Sequence, residues 1–125
     1  PGPTETNNMA TKQSVAENAV AQMRAHAGAA AGLMKALGNE SRLLILCALA
    51  DGEQSVGELN AIVPLSQSAL SQQLARLREQ GLVQTRRESQ TIFYSLCAGP
   101  ADQVIRLLHD IYCPTPVNRS TRGQC

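Results

Sequence analysis

Two sets of side chains in this 125-residue chain could do chemistry. The first is covalent and consists of cysteines 47, 97, 113 and 125. None is spaced as CxxC, no zinc-module pattern surrounds them, and no Cys–His arrangement of a thiol enzyme is recognisable. A cysteine among aliphatic residues is a small apolar side chain, and Cys47, inside the apolar run 43–50, reads that way at first sight. The second set is non-covalent. Gln67, Ser68, Ser71, Gln72 and Arg76 fall in one segment, followed at once by Arg86, Arg87 and Gln90. Amides and hydroxyls hydrogen-bond base edges in a major groove, and arginine adds guanine or phosphate contacts. An ordinary solvated helix face would have the same composition, so the surrounding elements must decide.

Those elements are legible. Leu70, Leu74 and Leu77 recur at i, i+4 and i+7, which makes one face of a helix apolar and leaves Ser68 and Gln72 roughly opposite. Ser66 is an N-cap, and Gly81 sits where a left-handed residue ends a helix. Residues 82–85 and 91–96 are β-prone runs on either side of a turn at 86–90. Upstream, residues 55–58 read Ser-Val-Gly-Glu, a capping box opening a short helix with Leu59, Ile62 and Val63 inward. Helix, turn, helix and basic hairpin in that order predict a winged helix-turn-helix. On it Gln67, Ser68, Ser71 and Gln72 would face bases, Arg76 bases or backbone, and Arg86, Arg87 and Gln90 phosphate or minor groove.

Charge agrees with this division. The net charge of +1 is uninformative, but residues 38–65 carry a balance of −3 and residues 66–96 one of +2. Positive charge is concentrated where a DNA footprint requires it.

The rest of the chain frames this unit. A flexible segment, 1–13, precedes it; Gly2 and Pro3 read as the remnant of a protease site, with Met9 near the native start. Ser14 to Glu17 is a capping box, predicted to start a helix running to Leu37. Its stripe of Ala16, Val20, Met23, Ala27, Ala30, Met34 and Leu37 suits close packing against a second helix. Gly28 and Gly32 weaken it by about 1 kcal/mol each relative to alanine. Gly38 ends it, Asn39 caps the next helix, and Asp51 with Gly52 stops that one. Gly99 and Pro100 open a last helix with a stripe of Val104, Leu107, Leu108, Ile111 and Tyr112. Residues 114–125 read as a flexible tail. The domain is therefore 14–113, mainly α with a small hairpin, about five helices and a two-stranded wing. No run of 18 apolar residues and no secretory pattern is present, so no membrane span and a cytoplasmic location are expected.

With these residues in view, the chain resembles the bacterial ArsR/SmtB winged-helix repressors, and among them the HlyU, BigR and SqrR branch. The segments ALGNESRLLILCAL, SVGEL, LSQSALSQQLARLREQGLV, TRRESQTIFYSL and LLHDIYC carry the resemblance, over about residues 14 to 113. It implies a homodimer built on the first and last helices and bound to an inverted-repeat operator of double-stranded DNA. The family's metal sensors place paired cysteines in the helix that here spans 56–63, which has none. Their second site starts the last helix with Asp-x-His, whereas Asp102 is followed by Gln103 and Val104; no metal and no cofactor is therefore expected. In the thiol-sensing relatives one cysteine lies in the second helix and one ends the last, positions matched by Cys47 and Cys113. The resemblance thus implies operator binding controlled by oxidation or (per)sulfide crosslinking of that pair, the inducer being a reactive sulfur or oxidant species. Cys97 and Cys125 have no counterpart. A metalloid- or metal-responsive repressor of the same family, a metalloid sensor recruiting one of them as a third thiolate, is the alternative, with a thiol enzyme or a protein-interaction adaptor behind it.

Overall fold

The computed structural model describes the backbone of residues 2–113 and side chains from residue 12 onward. The expected flexible tail, with Cys125, lies outside the described residues. The chain divides into two units, residues 1–35 and 36–125.

The first unit is helical. Helix α1 spans Gly2–Arg24 and α2 spans Ala27–Leu37. This corrects two expectations. The helix runs through Ser14 instead of starting there, because no glycine or proline interrupts residues 4–24 and local propensity carries it. It also breaks at Ala25 and His26, where the His26 amide donates to the Met23 carbonyl only three residues back, at 2.8 Å.

The second unit holds the core. Helix α3, Glu40–Leu49, is capped by Asn39, whose Oδ1 accepts from the Arg42 amide at 3.0 Å. It buries Ile45, Leu46 and Leu49, but Leu44 is exposed, so the helix is less enclosed than its apolar sequence suggests. A two-residue strand β1, Gln54–Ser55, leads into α4, Val56–Ile62. The predicted capping box closes both ways: Ser55 Oγ accepts from the Glu58 amide, and Glu58 Oε1 accepts from the Ser55 amide. Leu59 and Val63 are buried as predicted, whereas Ile62 is exposed.

Helix α5, Gln67–Glu79, follows a turn that Asn60 braces by donating from Nδ2 to the Leu65 carbonyl at 2.8 Å. Ser66 Oγ caps it by accepting from the Ala69 amide at 3.1 Å. Its end is a Schellman motif: Gly81 takes φ +73°, its amide donates to Arg78, and the Leu82 amide donates to Leu77. Leu70, Leu74 and Leu77 are wholly buried.

The hairpin is longer than expected. Strand β2 spans Val83–Glu88 and β3 spans Thr91–Leu96, paired antiparallel from Val83 with Leu96 to Glu88 with Thr91. Arg86 and Arg87 thus lie in a strand and not in the turn, which is only Ser89 and Gln90. The sheet has three strands in the order β1-β3-β2, with Gln54 opposite Tyr94 and Ser55 opposite Phe93. Helix α6, Pro100–Tyr112, starts on its proline as predicted. Its buried residues are Ala101, Asp102 and Ile105, not the stripe read from the sequence. Leu107, Ile111 and Tyr112 are exposed. The helix carries one broad apolar stripe, and periodicity cannot say which edge of it the chain itself covers; here that edge is Ala101 and Ile105, while Leu107 and Ile111 stay bare.

The hairpin tip permits a first test. Ser89 has φ +58°, left-handed backbone at the first of two tip residues, where glycine is favoured. Ser89→Gly should remove a strain of about 1 kcal/mol and raise the thermal midpoint, whereas Ser89→Val should lower it. A midpoint unchanged in both proteins would mean that the tip does not hold this conformation in solution.

Candidate nucleic-acid interface and thiol pair

The three buried leucines of α5 fix the helix so that its other face is presented outward. Gln67, Ser68, Ser71, Gln72 and Arg76 are all exposed, as is Arg78, which sequence reasoning passed over. Ser66 and Ser68 hydroxyls lie 3.4 Å apart, so the start of this face is already organised. Gln73, on the flank, is half-buried and accepts from Arg42 Nη1 at 3.4 Å, while Arg42 Nε donates to the Ala36 carbonyl at 2.7 Å. Arg42 therefore ties α5 to the segment before α3.

On the wing, alternation puts Arg86 and Arg87 on opposite faces of β2. Arg87 and Gln90 are exposed, and no carboxylate among the described residues pairs with Arg87. Arg86, in contrast, uses all three of its guanidinium nitrogens. Its Nε and Nη2 donate to the two carboxylate oxygens of Glu53, and its Nη1 donates to Glu88 Oε2 at 2.6 Å. Its guanidinium also lies 4.8 Å from the centre of the Phe93 ring. These hydrogen bonds hold the Glu53 carboxyl below its usual range and keep Arg86 more firmly protonated. Glu53 was not foreseen. It stands 33 residues from Arg86, and only the pairing of β1 with β3 brings it near.

The cysteines occupy different surroundings. Cys47 is half-buried in the last turn of α3, and its carbonyl accepts from the Ala50 amide at 3.2 Å. Cys113 follows α6 and is exposed. Both are free thiols. Burial pushes the Cys47 thiol up first, and the charges of Cys113 and Asp51 push it further. Helices α3 and α6 pack together, so the two sulfur-bearing positions feel each other. Cys97 is half-buried at the end of β3, its amide donating to the Leu82 carbonyl. Asp102 is buried with its Oδ2 on Arg106 Nη2 at 3.3 Å. Among the described residues, no three His, Cys, Asp or Glu side chains cluster to hold a metal ion, and no helix is long and apolar enough to cross a membrane.

A capped helix held by three leucines, after a short braced helix and before a two-stranded hairpin, defines a winged helix-turn-helix protein. Comparison with known proteins makes this specific. The arsR family of bacterial regulatory proteins matches residues 39–85. The transcriptional activator HlyU of Vibrio cholerae serotype O1 is 53% identical over 92 residues, covering 74% of this chain and 85% of the relative. The structure of reduced HlyU from Vibrio cholerae superposes with a TM-score of 0.70 at 53% identity, covering 74% of this chain and 97% of that one. The repressor BigR from Xylella fastidiosa gives a TM-score of 0.69 at 43% identity over 74% and 94%. The chain belongs to the arsR family of bacterial transcriptional regulators, whose relatives here are named regulators and not enzymes.

Proposed function

We propose that this regulator binds an inverted-repeat operator as a homodimer and that the thiols of Cys47 and Cys113 control that binding. The observation that carries the DNA reading is the face of α5. Gln67, Ser68, Ser71 and Gln72 stand exposed on a helix fixed by Leu70, Leu74 and Leu77. These four read base edges, Arg76 reaches bases or backbone, and Arg87 with Gln90 meets phosphate or the minor groove. Two such helices must enter successive major grooves roughly 34–36 Å apart. A second copy of the chain is supported by the exposed Leu107, Ile111 and Tyr112 of α6 and by Val15, Val20 and Met23 of α1. Because its target is the bacterial chromosome, the protein works in the cytoplasm.

The thiol reading is supported by a half-buried, reluctant thiol within electrostatic reach of an exposed one. A relative has also been described in a reduced form. The Cys113 thiolate attacks the outer sulfur of a persulfide RSSH, giving Cys113–SSH and RS⁻. The Cys47 thiolate then attacks the inner sulfur, forming the Cys47–Cys113 disulfide and releasing HS⁻. With a peroxide, Cys113 is first oxidised to the sulfenic acid, and Cys47 then displaces hydroxide. Tethering α3 to α6 changes the spacing of the two recognition helices, and because both must fit together, a small change is enough.

The DNA reading is tested with a duplex selected from a random pool by the wild-type protein. Gln72→Ala should lose roughly 1–3 kcal/mol on that duplex and almost nothing on an unselected one. Equal losses on both would reduce Gln72 to a positioning contact.

A further inference from the structure

Arg86 sits in the wing, yet the bonds around it do not suit a residue that grips DNA. All three guanidinium nitrogens are in use, two on Glu53 and one on Glu88. Two carboxylates around one cation leave a net charge of −1 at that spot, which repels phosphate. Arg87, one residue on and facing the other way, has no such screen. The geometry of Glu53 adds the second half. It stands one residue before β1, and β3 separates β1 from β2. The fork from Arg86 to Glu53 therefore crosses the central strand, over Phe93, and joins the far strand of the wing to the turn that ends α3. A bidentate arginine–carboxylate pair fixes direction as well as distance.

We propose that Arg86 is a positioning residue. Clamped by Glu53 and Glu88 above Phe93, it sets the angle of the wing so that Arg87 meets the DNA backbone. This rests on the reading that the wing touches DNA. The side chains are exposed enough, 49% for Arg86 and 39% for Glu53, that the clamp adds little to global stability. Its effect is on the fraction of molecules whose wing is correctly aimed, and affinity scales with that fraction.

The test uses the full-length protein and a fluorescein-labelled 40-base-pair duplex of mixed sequence, titrated across a range of salt concentrations. Thermal melts check that each variant folds. Arg87→Ala should flatten the salt slope by about one unit per wing. Arg86→Ala should leave the slope unchanged and weaken binding roughly three- to tenfold at every salt concentration. Glu53→Gln is the sharper variant. Removing a negative charge from a DNA-binding protein should tighten binding by simple electrostatics, whereas loss of the clamp predicts a weakening close to that of Arg86→Ala. The exchange Glu53→Arg with Arg86→Glu should recover most of the affinity. The clamp is overturned if Arg86→Ala flattens the slope as Arg87→Ala does, or if Glu53→Gln binds as tightly as wild type or tighter. An unchanged slope in Arg87→Ala would instead sink the contact between wing and DNA, and with it the purpose of the clamp. The two failures are thus read from different proteins.

Discussion

Cys47→Ser and Cys113→Ser proteins are expected to remain on the selected duplex at persulfide concentrations that release the wild type. The wild-type protein should lose about 5- to 150-fold in affinity, the usual span of coupling between two sites, while each variant changes less than about twofold, far below that span. The two variants should fail for different reasons. Cys113→Ser lacks the exposed thiol that meets the reagent, so it should gain no mass. Cys47→Ser should keep a persulfide or sulfenic acid on Cys113 that nothing resolves, visible as a stable mass increase. Cys97→Ser should switch normally, and so should Cys125→Ser. The raised Cys47 thiol adds a pH signature. Its thiolate is scarce in the ordinary thiol range, so ring closure should accelerate as pH rises further. The same shift means that the stability gained from keeping Cys47 protonated is present below the normal thiol value and lost as pH climbs through the raised one. Release of the Cys47→Ser protein as readily as wild type would rule out the dithiol mechanism.

The second large effect concerns the seat of α5. Leu74 is wholly buried, and Leu74→Ala should destabilise the fold by about 2–5 kcal/mol, the transfer loss plus the cavity left behind. In a domain of this size that lowers the thermal midpoint by roughly 8 °C or more. Ser71→Ala, on the exposed face of the same helix, should stay within about 0.5 kcal/mol of wild type. Circular dichroism melts of both proteins give the answer. A mild loss for Leu74→Ala would show that α5 is not anchored as described, and that its outward face is not rigidly presented.

Local chemistry was the legible part of the fold. Ser66, Gly81, Asn39 and the Ser55 box each announce a helix boundary through bonds to residues three to five away, and Pro100 does so through its fixed backbone angle; the structure has those boundaries where the sequence puts them. The leucine triplet of α5 likewise identified its buried face. Ser14 announced a boundary that is not used, because no glycine or proline beside it stops the helix. Strand β1 was missed since two residues carry no periodicity; its existence depends on Phe93 and Tyr94 far along the chain. Glu53 was missed for the same reason, and Arg86 was grouped with Arg87 although strand alternation sets them apart. On α6 the buried Ile105 was overlooked because it lies at the edge of one broad apolar stripe, most of which its own chain leaves bare.

The placing of the aromatic residues makes the protein convenient to watch. It contains no tryptophan and two tyrosines. Tyr94 lies on the central strand between Gln54 and Thr85, and Tyr112 immediately precedes Cys113. Ultraviolet emission therefore has two sources, one on the hairpin and one beside the exposed thiol. A Tyr94→Phe protein emits only from the thiol end, where a neighbouring disulfide quenches a phenol; a Tyr112→Phe protein emits only from the hairpin. Stopped-flow records of the two, taken side by side without any attached dye, give the order and the delay between sulfur chemistry and movement of the wing.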